Sequence, residues 1–292
     1  MQIDVRNLTY IYSEKSKDMA VKAVDDVSLL IKEGIFGVIG HTGSGKSTFI
    51  QHLNGLIKIQ KNRGKITVGE FDLTDKKCKF KELRARVGMV FQYPEYQLFA
   101  ETVKEDVEFA LKNFCKDLSE EEKEKRVRAA IEITGLNYEK VKNKSPFELS
   151  GGQKRRVAIA GVIVSKPEVL VLDEPVAGLD PKGKKEFLAL VHDLKEKVVK
   201  TVVIVSHDMN LIAENCDEAA IFSHGKVYSV GTPEHIFKDA NDLVGLGLEL
   251  PLVVKLKNAL KEKGVDLDCG VDEDSFVEAV AQKFGQPKGV NA

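Results

Sequence analysis

No apolar run in these 292 residues approaches the ~20 needed to span a bilayer. The opening stretch, MQIDVRNLTY, lacks the apolar core of a signal peptide, so the expectation is a chain that stays in the cytoplasm. Cysteine is scarce. Cys78, Cys115, Cys216 and Cys269 lie far apart with no C-x-x-C pair, which predicts reduced thiols and neither disulfides nor a metal site. Charge of one sign is missing too: 44 basic against 45 acidic residues leave a net −1, and nothing global favours nucleic acid. There is no internal repeat and no low-complexity linker. What remains, 43% hydrophobic and 30% charged, is a globular composition long enough for one large domain or two of ordinary size.

The first third reads as short strands, IDVRNLTYIY, VDDVSLLI and IFGVIG, followed by a helix starting at or near Ser47. VLVLDEP and TVVIVSHD are continuous, β-branched runs of the kind that parallel strands show when both faces are covered. Helical patterns separate them. One begins at Ser119, where Ser119 and Glu122 predict a capping box. Another follows Asp180-Pro181, with Phe187, Leu190, Val191 and Leu194 as its apolar stripe. The expected fold class is α/β with a mostly parallel core sheet. AAIFSHGKVYSVGTP predicts a hairpin turning at His224-Gly225. Beyond about Thr232 the pattern turns helical, with Val253, Leu256 and Leu260 expected on one face and Val277, Val280, Ala281 and Phe284 on another.

GVIGHTGSGKSTFI crowds four glycines and one lysine between two apolar runs. Glycine packs nothing and costs entropy wherever it is fixed, so the backbone itself must be the working surface. Gly40 to Ser47, spelled out by Gly40, His41, Thr42, Gly43, Ser44, Gly45, Lys46 and Ser47, fits G-x-x-x-x-G-K-S between a strand and a helix. Such a loop aims successive N–H groups and a helix N-terminus at one anion, to which Lys46 adds a full positive charge. Lys46 is assigned to the β- and γ-phosphates, Ser47 to Mg²⁺ and Thr48 to a further phosphate oxygen.

VLVLDEP ends in Asp173 and Glu174, which an extended chain points to opposite faces. Asp173 suits the shell of the Mg²⁺ at Ser47, and Glu174 the orientation or deprotonation of a water. The second buried strand delivers His207 beyond its C-terminal end, where ligands collect in open parallel sheets; it is read as a γ-phosphate contact. LSGGQKRRVAIAGVIVSKP contains a second open helix start, with Leu149, Ser150, Gly151, Gly152 and Gln153. One nucleotide cannot use two cradles on separate elements of one chain. The economical solution is a head-to-tail pair in which this turn closes over the triphosphate held by a partner.

GHTGSGKST, Gln92, LSGGQ, VLVLDEP, AGLD and SHD occur in the order of an ABC-transporter ATPase subunit, and the resemblance covers about residues 3 to 231. It implies a P-loop NTPase of the ABC type, with a mostly parallel core sheet, an N-terminal antiparallel β-subdomain and a helical subdomain at about 93–165. Residues 1–231 would be the ATPase domain, and 232–292 a small C-terminal helical extension. It also implies an ATP sandwich dimer whose closing and hydrolysis drive a membrane partner. By position, Tyr12 looks like the aromatic that stacks on adenine, with Tyr10 as a substitute. Gln92 looks like the glutamine linking Mg²⁺ to the membrane interface, Asp180 like the dimer-contact aspartate and His207 like the switch histidine.

GHTGSGKST, VFQYPEYQLF, LSGGQKRRVAIAGV and the LELP of the extension resemble, more narrowly, the energy-coupling factor group and the second of its two related ATPases. The resemblance implies a subunit on the cytoplasmic face of the membrane. Its partners would be a related or identical ATPase, a shared transmembrane protein and a substrate-capturing membrane protein, energising uptake of a vitamin or a transition-metal ion. Tyr93, Tyr96, Leu98 and Phe99, beside Glu95, Glu101, Glu105 and Asp106, are expected to be exposed and to form a groove for basic helices of the transmembrane partner. The competing reading is a soluble ABC ATPase of DNA repair or translation. It would bring long insertions or two cassettes in one chain, and neither these nor a basic stripe is visible.

Overall fold

Ten strands and twelve α-helices are built into a computed structural model that describes residues 1–13, 20–238 and 240–285. In chain order the first are β1 (Ile3–Tyr12), β2 (Val21–Ile31), β3 (Gly34–Ile39), α1 (Lys46–Leu53), β4 (Lys65–Val68) and β5 (Phe71–Asp72). Next come α2 (Phe80–Arg86), β6 (Val87–Val90), α3 (Val103–Phe114), α4 (Glu120–Ile133), α5 (Tyr138–Val141) and α6 (Gly151–Ile163). β7 (Val169–Asp173), α7 (Pro181–Lys197), β8 (Thr201–Val205), α8 (Met209–Asn215), β9 (Glu218–Ser223) and β10 (Lys226–Gly231) complete the core. The remaining helices are α9 (Pro233–Ile236), α10 (Ala240–Gly245), α11 (Leu252–Glu262) and α12 (Glu273–Phe284).

β1, β2, β4 and β5 make an antiparallel sheet in the order β2-β1-β4-β5. The main sheet runs β10-β9-β3-β8-β7-β6, parallel throughout except for the β9–β10 hairpin. Its register aligns the carboxyl ends, pairing Val38 and Asp173 with Val205. All residues of β7 and β8 are buried, and strand alternation sends them into two different cores. Leu170, Leu172, Val202 and Ile204 join the core built with α3, α4, α6 and α7. Val169, Val171, Val203 and Val205 join the core under the antiparallel sheet and α1. This is why these strands read as unbroken apolar runs.

The hairpin turns at His224 and Gly225, both at positive φ (50° and 79°), a pair that matches the twist of adjoining strands. Ser119 caps α4 by accepting the Glu122 N–H. The reciprocal half of the expected capping box is absent, because the Glu122 carboxylate instead accepts from Arg126 one turn on. The extension differs from its expected faces. α11 buries Val253 and Val254 while leaving Leu256 exposed, and α12 has no buried residue, so Val277 and Phe284 face outward. The extension nonetheless joins the first core through Ile236, Phe237, Leu243, Leu248, Val254 and Val271. Among the described residues, no helix is long and apolar enough to cross a membrane.

Candidate active site

β3 ends at Ile39 and α1 begins at Lys46, and the loop between them has no room for side chains where it turns most sharply. A Cβ on Gly40 (φ 154°) would lie 2.3 Å from the Phe222 carbonyl oxygen, and one on Gly45 (φ 100°) 2.1 Å from that of Ala23. Backbone therefore packs against backbone where the loop enters α1, and within the loop Ser44 N–H donates to the His41 carbonyl (3.2 Å). Ser44 is buried beneath the loop, while His41, its ring edge-on to His224 at 5.4 Å, and Thr42 and Gly43 form its outer bend. Lys46 Nζ lies in the hollow, donating to the carbonyls of Gly40 (2.6 Å) and His41 (2.9 Å). Burial pushes its pKa down, and Glu174 and Asp173 pull it back up.

Asp173, the last residue of β7, is buried, and the Ser47 side chain lies near enough to favour its ionised form. Its carboxyl is held above the ordinary range by burial first and by Glu174 second; Ser47 and Lys46 oppose this. A buried carboxylate and a hydroxyl are hard oxygen donors, a set that fits Mg²⁺. Glu174 sits at φ 46°, an uncommon conformation for a residue with a side chain, costing on the order of 1–3 kcal/mol. Its N–H continues the β7–β8 pairing to the Val205 carbonyl. The turn points its Oε2 to within 2.9 Å of Nδ1 of His207, which leaves the end of β8. Gln92 is exposed just past β6. Loop, acid pair, histidine and glutamine thus all leave the carboxyl edge of one parallel sheet.

Tyr12 and Tyr10 are not equivalent. The Tyr12 ring is exposed and its hydroxyl lies 3.2 Å from Thr48 Oγ1, whereas Tyr10 is half-buried, wedged edge-on between Tyr12 (4.8 Å) and His52 (5.0 Å). At the second helix start, Ser150 caps α6 in a full capping box: Ser150 N–H donates to Gln153 Oε1 (3.1 Å) and Gln153 N–H to Ser150 Oγ (3.4 Å). Ser150, Gly151, Gly152 and Gln153 are all exposed, while Leu149 anchors the turn in the core. Asp180 caps α7, accepting the Gly183 N–H at 2.8 Å.

The stretch after Gln92 corrects the sequence expectation. Leu98 is not exposed: it is 6% accessible and packed in the core with Val103 and Val107, because a short 3₁₀ turn over Pro94–Gln97 rotates it inward. Tyr93, Tyr96 and Phe99 do face outward, joined by Phe109 edge-on to Phe99 at 4.9 Å. Of the four expected rim acids, three are taken up internally. Glu95 pairs with Arg155, Glu105 closes the capping box at Thr102, and buried Asp106 accepts the N–H groups of Phe99 and Ala100 at 2.9 Å each.

Arg155 was missed by sequence reasoning. It shares a buried face of α6 with Ile159 and Ile163 at i+4 and i+8, and a charge inside an apolar stripe was the signal available.

Residues 24–177, more than half the chain, match the family model described as ABC transporter. The chain belongs to the ABC transporter family. Within it, the chain is 52% identical over 269 residues to the energy-coupling factor transporter ATP-binding protein EcfA2 of Clostridioides difficile, covering 91% of this chain and 92% of that protein. It is 50% identical to the protein of the same name from Clostridium tetani, over 97% and 96% of the two. Among solved structures it resembles cbiO1 of Clostridium perfringens, part of the ABC transporter complex cbiONQ (TM-score 0.73, 35% identity, 88% of this chain and 98% of that one). It also resembles the ATP-binding cassette MJ0796, a dimer bound to ADP and Pi (TM-score 0.68, 30% identity, 79% and 98%). The energy-coupling factor ATPases and the ABC cassette fold are therefore where this sequence and this sheet order belong.

Proposed function

We propose that the chain is the ATP-binding and ATP-hydrolysing subunit of an energy-coupling factor importer. In this reading it pairs head to tail with a related ATPase and drives a transmembrane partner, at the cytoplasmic face of the membrane. A substrate-capturing protein delivers a vitamin or a transition-metal ion to that partner. Residues 1–231 form the ATPase domain, with a helical subdomain at about 93–165, and 232–292 form the extension, of which 239 and 286–292 lie outside the described residues. The observation that carries the reading is the Glu174–His207 contact of 2.9 Å beside the Ser47–Asp173 pair, beyond the edge of the sheet that supports the glycine loop.

Lys46 and the amides of Gly43 to Thr48 bind the phosphates, and the exposed Tyr12 ring stacks on adenine. Ser47, Asp173 and Gln92 are the residues that would hold Mg²⁺, which when bound neutralises phosphate charge. Glu174 orients the attacking water and takes its proton. His207 holds the Glu174 carboxylate through Nδ1; in its protonated form it also donates from Nε2 to the γ-phosphate. The Leu149–Gln153 turn and Asp180 close on the partner's nucleotide. The Tyr93, Tyr96 and Phe99 face receives the transmembrane partner.

Glu174→Gln tests the reading. It should lower turnover by about 10²–10⁴-fold and trap a closed, ATP-bound dimer, seen by size exclusion with ATP. Hydrolysis at the parental rate would overturn the assignment of the base.

A further inference from the structure

Arg155 is the one buried arginine among the described residues, and its guanidinium joins three separate segments. It lies on α6, five residues beyond Ser150. Nη1 donates to the Pro175 carbonyl (3.2 Å) and Nη2 to that of Ala177 (3.3 Å), which fixes the turn running from Glu174 to Asp180. Nε and Nη2 face the two carboxylate oxygens of Glu95, each at 3.4 Å. Glu95 belongs to the 3₁₀ turn between Gln92 and the exposed Tyr96 and Phe99. The same turns also run close to each other. Tyr93, itself at φ 54°, lays its ring edge 3.8 Å from where a Cβ on Gly178 would sit.

We propose that Arg155 is a positioning residue for ATP hydrolysis, which sets the Pro175–Asp180 turn in register with the Leu149–Gln153 turn and with the segment after Gln92. A buried guanidinium is costly unless its donors are met, and here one carboxylate and two carbonyls meet them at fixed angles. The planar fork reaches all three at once, which a lysine ammonium cannot do. Moving Glu95 must therefore either drag the Pro175–Asp180 turn along or leave a buried charge short of its partner. Glu174 begins that turn and Asp180 ends it. The segment that carries the aromatic face is thereby tied to the first half of the Glu174–Asp180 turn, at Pro175 and Ala177, by a route that does not pass through the Gln92 side chain.

The inference rests on the ATPase reading, and the two fail separately: the parental full-length chain, purified with its co-expressed partners, must first hydrolyse ATP. Given that, Arg155→Lys should lower kcat at least tenfold while KM for ATP stays within about twofold, because the Lys46 loop is untouched. Its melting temperature is measured alongside. Glu95→Gln, which keeps the shape and loses the charge, should lower kcat less. The Arg155→Lys/Glu95→Gln double variant should be no worse than Arg155→Lys alone, since both break one connection. Arg155→Lys with parental kcat overturns the proposal, as does a double variant whose loss is the product of the two single losses. A kcat loss that follows melting temperature across all three variants also overturns it, because a merely structural role would give that pattern.

Discussion

Two helix starts in this molecule are built from glycine, and they could hardly be built more differently. The Gly40–Thr48 loop is wedged under its neighbours, with carbonyl oxygens closing on two of its α-carbons and a buried lysine in its hollow. Beyond its Leu149 anchor, the turn over Ser150–Gln153 stands exposed: a Cβ on Gly151 or Gly152 would meet nothing within 4 Å. Glycine in the first is imposed by the chain's own packing. Glycine in the second meets no neighbour in this chain, which is what the proposed pairing with another subunit's nucleotide expects.

The sharpest way to break that contrast is to add one methyl group to each. Gly45→Ala should abolish measurable ATP binding, a loss of more than about 100-fold, because the new carbon overlaps a backbone carbonyl that cannot yield. Gly152→Ala should fold with an unchanged melting temperature and bind ATP normally as a monomer, yet lose ATP-driven dimer formation. Isothermal titration and light scattering separate the two. Normal dimer closure by Gly152→Ala would place the second turn outside the interface.

The second turn also depends on its support. Leu98→Ala should destabilise the protein by about 2–5 kcal/mol in urea unfolding, since Leu98 lies in the core on which α3 and α6 pack. Phe99→Ser should leave stability within about 0.5 kcal/mol and cut transport, because the Phe99 ring is exposed. A smaller effect tests the first cradle. Tyr12→Ala should remove about 1–3 kcal/mol of base stacking, or 5–150-fold in ATP affinity, and Tyr10→Ala less. The reverse order would transfer the adenine to Tyr10.

These outcomes also mark where the sequence was legible. The glycine loop, the acid pair at the end of β7 and the histidine after β8 could be read because each lies at the end of a buried strand and its spacing is local. The sheet order that brings them to one edge is long-range, and only the structure supplies it. Leu98 misled because one 3₁₀ turn reverses which side of the chain faces solvent, and no period in QYPEYQLF announces it. Arg155 escaped because its acceptors, Glu95, Pro175 and Ala177, are remote in sequence and two of them are carbonyls, which every residue has. The outward face of α12 shows the converse: the apolar spacing was legible, but Val277 and Phe284 are exposed and not packed into the core.

The smallest expected effect is also the most selective for the first cradle. His52 is fully buried on the last turn of α1, directly beneath Thr48, with Nδ1 2.7 Å from the Thr48 carbonyl. A carbonyl only accepts, so Nδ1 carries the proton and Nε2 of the neutral ring is a bare lone pair; among the described residues it is the one buried side-chain polar atom without a partner. Charging the ring would bury a second N–H with nothing to receive it. Burial therefore depresses the His52 pKa below the ordinary histidine value, and the Thr48 contact opposes this only in part. The sign follows from linkage. A group whose folded pKa is depressed contributes stability that is present above its unfolded pKa, near 6.5, and lost as pH falls through that value toward the folded one. Acidification below about pH 6.5 should thus weaken α1 and the cradle it carries, lowering both the urea midpoint and ATP affinity. His52→Gln should flatten the pH dependence of both. A variant that keeps the parental slope would place the titrating group elsewhere and leave α1 indifferent to pH.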